Sequence, residues 1–465
     1  MLERDDIQGL VLSGYASTPR SRYFFVRFAG SGAREWLSRL LPRLTTATRG
    51  ERKDTRRLNL ALSATGLAAL GLPEEALATF PREFVQGMAD DERSQVLGDC
   101  GVNAPAHWDF GHDPATRVDA LLLLYAATEA ELDDWSADIE EELERFGLVA
   151  HEEDTYLPEN GREHFGFKDG ITNVRLETWP RLRHRNRFEP RVPAGEFLLG
   201  HRNAYSRFPD SPRVPVRRGT RSFPRIVDGG RAMDLGENGT YVAVRKLAQD
   251  VGGFWRFASA RGAELFPDEP EGGAERFASL LVGRTLDGAP LALPPSEAGA
   301  APQLNRFGYR EGGELGTRCP VGAHIRRANP RDGLGDDPAE SLGHVRAHRV
   351  IRRGRLYGPS VEPGTAADPR PRGLMFMAFC ANLRRQFEFI HESWLNGPKF
   401  GGLTHERDPL VGSGAPLSSA AGEETFSLQE GSVRRRCSLE RFVTVRGGAY
   451  LFMPGRRALA YLAEP

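Results

Sequence analysis

Three short windows of the chain gather residues that could do chemistry. The first, His164-Phe165-Gly166-Phe167-Lys168-Asp169-Gly170, sets a carboxylate beside glycines, two phenylalanines and a histidine. An Asp-Gly pair in a loop usually marks a turn, because aspartate bonds nearby backbone and glycine accepts positive φ. Glycines also let backbone approach a flat apolar ligand closely. The second window runs from Arg318 to Arg331 (RCPVGAHIRRANPR). His324 follows the small residues Gly322 and Ala323, and Arg326, Arg327 and Arg331 could pair with carboxylates through bidentate contacts. A lone histidine is more often a satisfied core or surface residue. The third window, Arg349 to Gly358 (RVIRRGRLYG), reads as a short arginine-rich strand ending in a turn. Taken alone it is a basic edge strand, since positive charge protects sheet edges.

The elements that would position these windows repeat in two halves. Tyr23–Phe28 (YFFVRF) is β-rich and Arg34–Leu41 has helical spacing; Asp119–Ala126 (DALLLLYA) is a buried-strand run and Glu129–Phe146 a helix with an acidic face. In the second half Gly239–Arg245 alternates like a strand before the helical Asp250–Arg261, and the strand-like Arg372–Phe379 precedes the helical Leu383–Leu395. Strand–helix units recurring twice per half predict an α+β protein of two ferredoxin-like repeats, each an antiparallel sheet with helices on one face. The expected domains are 1–230, carrying the Asp169 loop, and 231–465, carrying His324 and Arg352. Long Pro/Gly-rich stretches, about Glu152–Asp234 and Pro267–Gly364, hold the three windows, and loops of such length in compact proteins are usually functional.

Composition narrows the classes. A net charge of −1 removes the electrostatic case for a nucleic-acid protein. Four scattered cysteines (Cys100, Cys319, Cys380 and Cys437) make no disulfide framework, and no CxxC or CxxCH occurs. The apolar runs are too short for a membrane span. The charged start Met1-Leu2-Glu3-Arg4 lacks the apolar core of a secretory signal, and Arg56-Arg57 with the run behind it resembles a twin-arginine signal in the wrong place. A cytoplasmic protein is expected.

Together the windows resemble the dye-decolourising peroxidase family. Gly166-x-x-Asp169-Gly170 is similar to its signature loop. Cys319-Pro320-x-x-Ala323-His324-x-Arg326 resembles its proximal-histidine segment, and Ile351-Arg352-Arg353-Gly354, 28 residues past His324, its distal-arginine segment. Framing segments follow in the family's order: Asp6-Ile7-Gln8-Gly9-Leu10, Gly195-Glu196-Phe197-Leu198-Leu199-Gly200, Val282-Gly283-Arg284 and Arg385-Gln386-Phe387-Glu388-Phe389. The likeness covers nearly the whole chain and is greatest to the longer bacterial branch related to the fungal enzymes. Gly354 stands where some branches have Ser or Asn, which removes a side-chain hydrogen bond to peroxide.

The resemblance implies a haem-dependent peroxidase that reduces H2O2 and oxidises organic donors such as phenols and dyes through a ferryl intermediate. It implies one non-covalent haem b per chain, between the sheet and helices of the C-terminal half, and allows a homo-oligomer. His324 would be the iron ligand. Asp169 would shuttle the proton and Arg352 stabilise developing charge. Gly170, His164, Arg326 and Arg331 would border the cofactor. Glu388 is the candidate for the free ring nitrogen of His324, against the plainer reading of a solvent-facing helix carboxylate. An aspartate beside an arginine is an acid-range base, so activity should be highest below neutral pH. Tyr357, Trp179 and Trp255 could relay electrons from bulky donors, though aromatics more often simply pack. Two other readings remain: a haem enzyme for one specific metabolite, and a haem-binding protein with little turnover.

Overall fold

The structure, a computed structural model, describes residues 2–48, 55–174, 176–177, 188–189, 191–217, 223–297, 304–310, 316–361, 369–414 and 424–464. The first half supplies strands β1 (Arg20–Phe28), β2 (Arg56–Leu62), β3 (Ala120–Ala126) and β4 (Leu148–Tyr156). A small separate sheet of β5 (Arg213–Pro215), β6 (Ile226–Val227) and β7 (Ala232–Asp234) spans the expected boundary between residues 230 and 231. The second half supplies β8 (Thr240–Gln249), β9 (Ile351–Arg352), β10 (Arg355–Tyr357) and β11 (Gly373–Cys380). The hairpin β12 (Thr425–Glu430) and β13 (Val433–Ser438) then precedes β14 (Val443–Met453).

Each half has ferredoxin-like order. The first runs β4-β1-β3-β2, with helices Ala33–Leu40 and Glu129–Arg145 crossing between its strand pairs. The second runs β14-β8-β11-β9. The α+β fold expected from the sequence is present, but the two sheets are not separate. β14 bridges to β2 at Phe452↔Leu62, and β10 pairs with β4 at Leu356↔Tyr156 and with β11, so the strands form one closed sheet.

Closure explains the continuous apolar runs. A strand's side chains alternate between faces. Tyr23, Phe25, Leu121, Leu123 and Tyr125 turn inward to meet Val242, Val244, Met375, Met377 and Leu451 of the other half. Phe24, Val26, Leu122 and Leu124 turn outward under the helices. Both faces are therefore buried, and β3 is buried at every residue. The run behind Arg56-Arg57 is β2, paired along its length with β3.

Helix Glu129–Arg145 shows why its segment forms: Thr128 accepts the Glu131 N–H as a cap, and Leu132, Trp135, Ile139 and Leu143 face the sheet at helical spacing. The segment expected as a helix from Leu383 to Leu395 is helical, but π-wound over Arg384–Glu388 and Ile390–Leu395. Such wide turns are rare and often found at functional sites. Among the described residues no helix is long and apolar enough to cross a membrane.

Candidate active site

A cavity of about 620 Å³ lies between the sheet of the second half and its helices. One wall comes from alternate residues of the strands: Arg245, Leu247 and Gln249 of β8, Leu374 and Phe376 of β11, and Val443 and Val445 of β14. The facing wall is His324 with Ile325 and Ala328, and Phe387, Ile390, His391 and Trp394 of the π-wound segment. Asp169 and Arg352 close it from the loop side. All three chemical windows of the sequence therefore meet in one cavity.

Local backbone bonds build the Asp169 loop. Glu163 N–H donates to Phe167 O (3.0 Å), Gly166 N–H to Glu163 O (2.8 Å) and Asp169 N–H to Gly161 O (2.9 Å). Gly166 and Gly170 sit at φ 97° and 75°, where glycine carries no steric cost. Phe165 stacks on Phe254 at 4.4 Å and anchors the loop to helix Val251–Leu265. Arg352 comes from β9; its Nη1 is 3.8 Å from Asp169 Oδ1 and its Nη2 donates to Thr172 O at 3.3 Å. Both side chains are open, Asp169 by 54% and Arg352 by 43%.

His324 opens the short helix His324–Ala328. Its Nδ1 lies 2.9 Å from Asp408 Oδ2, and Asp408 also accepts the Leu410 and Val411 N–H groups at 3.0 and 2.9 Å. Burial raises the Asp408 carboxyl, but His324 and the Val411 N–H outweigh it and hold it below the usual range. Burial lowers the His324 imidazole, yet Asp408 raises it above its ordinary value overall. His391, half-buried at the cavity, is pushed down to about 3, by desolvation first and then by Arg245.

Several expected site residues lie elsewhere. The His324 partner is Asp408, not Glu388: Glu388 is fully buried, 2.9 Å from both Arg93 Nη1 and Tyr450 Oη. It is no solvent-facing carboxylate either, because Arg93 and Arg384 offset its charge. His164 turns away from the cavity, with Nε2 2.9 Å from Tyr357 O. Gly170 does not line the cavity; its N–H donates to Asp169 Oδ1 at 2.6 Å, and a side chain there would meet nothing within 4 Å. Arg326 also misses the wall, donating to Cys319 O at 2.9 Å and lying over the Tyr309 ring. Arg331 does line the cavity, but it donates to Asn305 O and Phe307 O and pairs with Glu189 at 3.4 Å. Trp255 and Tyr357 are buried rather than at the surface, and Trp179 lies outside the described residues. Sequence reading missed Asp408, His391, Glu163, Leu374 and Phe376. The alternation of Arg372–Phe379 was the one available signal for the last two.

The donor set suits iron carried in a macrocycle. Among the described residues no group of three or more His, Cys, Asp or Glu could hold a bare metal ion. With Nδ1 taken by Asp408, Nε2 is the ring nitrogen left for iron. Leu247, Leu374, Phe376, Val443 and Val445 on one side and Phe387 and Ile390 on the other give the cavity apolar surface for a ring system.

No family model matches the chain. Among curated proteins it is 30% identical to the multifunctional dye peroxidase DyP2 of an Amycolatopsis species, over 87% of this chain and 81% of that one. It is 28% identical to a dye-decolorizing peroxidase of Mycena epipterygia, over 99% and 87% of the two chains. A solved ancestral D-type dye-decolorizing peroxidase superposes over the full length of both chains with TM-score 0.77 at 27% identity. A double mutant of the Auricularia auricula-judae enzyme gives 0.80 at 24%, a likeness of fold. Fold and relatives together thus define an oxidoreductase of the α+β class that acts on peroxide. The chain belongs to the dye-decolourising peroxidase family, a haem-dependent family of enzymes that act on peroxide.

Proposed function

We propose that this enzyme binds one non-covalent haem b through His324, reduces H2O2, and oxidises organic donors such as phenols and dyes best below neutral pH. The observation that carries the reading is the meeting of Asp169, Arg352 and His324, from three distant segments, on one cavity. Bound haem would supply the iron that receives peroxide and the oxidising equivalents passed to the donor. The chain's own residues do the rest. Asp169 takes the proton from one peroxide oxygen and returns it to the departing one. Arg352, 3.8 Å from Asp169, offsets the negative charge that develops on that oxygen. Leu374 and Phe376 add apolar surface to the same cavity, limiting stray water. Asp408 fixes the His324 ring and its tautomer.

A mere haem carrier needs neither Asp169 nor Arg352, which favours turnover over storage. The test is stopped-flow mixing of haem-loaded protein with one equivalent of H2O2. Asp169→Asn should slow the peroxide-dependent change of the Soret band by about a hundredfold, and Arg352→Leu by a similar order. Parental rates in both variants would sink the assignment, as would an optimum on the alkaline side of neutral.

A further inference from the structure

Glu163 sits six residues before Asp169 and lines the same cavity. Its carboxylate accepts three N–H groups: Phe165 N–H at 2.9 Å and Gln249 Nε2–H at 2.8 Å on one oxygen, and Phe167 N–H at 3.0 Å on the other. None of these donors is charged, and among the described residues no cation pairs with it. Burial pushes its carboxyl up to about 7 despite the three donors, and the nearby Asp169 charge pushes the same way. A carboxylate so held contributes little as a surface charge. Its geometry does something else: two of its bonds span the turn from Phe165 to Phe167, and the third ties that turn to the end of β8. The Gln249 Oε1 atom is buried without a partner, so a protonated Glu163 could donate to it after the amide turns over.

We propose that Glu163 is a positioning residue for the peroxide step, fixing the loop that carries Asp169 against the strand wall of the cavity. The inference rests on the role assigned to Asp169 above. A carboxyl group is required because, ionised or protonated, each of its two oxygens can accept a backbone N–H, one from Phe165 and one from Phe167. In Glu163→Gln the amide nitrogen faces either Phe165 N–H or Phe167 N–H, and in both orientations one backbone donor loses its acceptor. The turn then loosens, and small displacements of a reacting group are costly.

The experiment is a double-mutant cycle on the haem-loaded enzyme with Glu163→Gln, Asp169→Asn and both. Glu163→Gln should lower kcat/KM for H2O2 by roughly tenfold, while kcat/KM for an organic donor stays within about twofold. In the Asp169→Asn background the Glu163→Gln change should have no further effect. Amide hydrogen exchange should quicken at Phe165 and Phe167 and be unchanged in β8. A parental peroxide rate in Glu163→Gln, or the same slowing with Asp169 already removed, overturns the inference alone. A parental rate in Asp169→Asn overturns the Asp169 reading and this one with it. If Glu163→Gln does not fold, Gln249→Leu removes only the tie to β8; a loss of about threefold that vanishes without Asp169 supports the inference, and no loss overturns it.

Discussion

The two sides of the cavity are built to different standards. On the His324 side, Asp408 is fully buried, lies 2.9 Å from the ring and accepts two backbone N–H groups besides. On the other side, Asp169 and Arg352 stand 3.8 Å apart, each about half exposed. The first arrangement freezes one geometry. The second leaves two charged groups reachable by a small polar substrate and free to move toward it. Such a division suits the roles proposed above, a fixed iron ligand at His324 and a proton carrier at Asp169.

Breaking the buried side should cost most. Asp408→Asn keeps the volume but loses the charge facing His324. It should reduce haem affinity or peroxide turnover by roughly 10- to 100-fold, read by haem titration and steady-state rates. An unchanged variant would mean that Asp408 serves only the turn at Leu410 and Val411. The exposed side should respond to salt. Raising ionic strength from low to about 1 M shortens the screening length to ~3 Å, and the H2O2 rate should fall by about two- to threefold through the Asp169–Arg352 pair. A salt effect surviving in Arg352→Leu would place its origin elsewhere.

The smallest effect concerns stability. His348, at the cavity wall, is pushed down to about 4, by burial above all, with His344 and Arg385 adding to it. A histidine depressed on folding contributes stability that is whole above its ordinary pKa near 6.5 and is lost as pH falls toward 4. Urea midpoints should therefore drop less steeply between those pH values in His348→Gln than in the parent. Equal slopes would remove His348 from the acid response.

How much of this was legible follows from distance along the chain. Asp169, His324 and Arg352 each lie in a short motif-bearing window; alone each reads as a turn, a satisfied histidine or a basic edge strand, and only the three in order resemble the family's site. Asp408 could not, because it stands 84 residues from His324 with no period linking them. Glu388 was expected beside His324 from its place in the familial Arg385–Phe389 segment, while the arginine that accounts for it, Arg93, is 295 residues away. Strand–helix alternation predicted both ferredoxin-like halves. It could not predict that they join, since each joint is a single residue pair, Phe452↔Leu62 and Leu356↔Tyr156.

The pairing of β8 with β14 bears on the order in which the protein can be made. These neighbours are written about two hundred residues apart, and Val443 and Val445 of β14 are cavity wall. A nascent chain that has just delivered His324 still lacks Asp408, the β11 wall residues Leu374 and Phe376, and Val443 and Val445 of β14. On the role proposed for His324, a chain stopped before residue 443 would hold that histidine without the β14 part of its pocket.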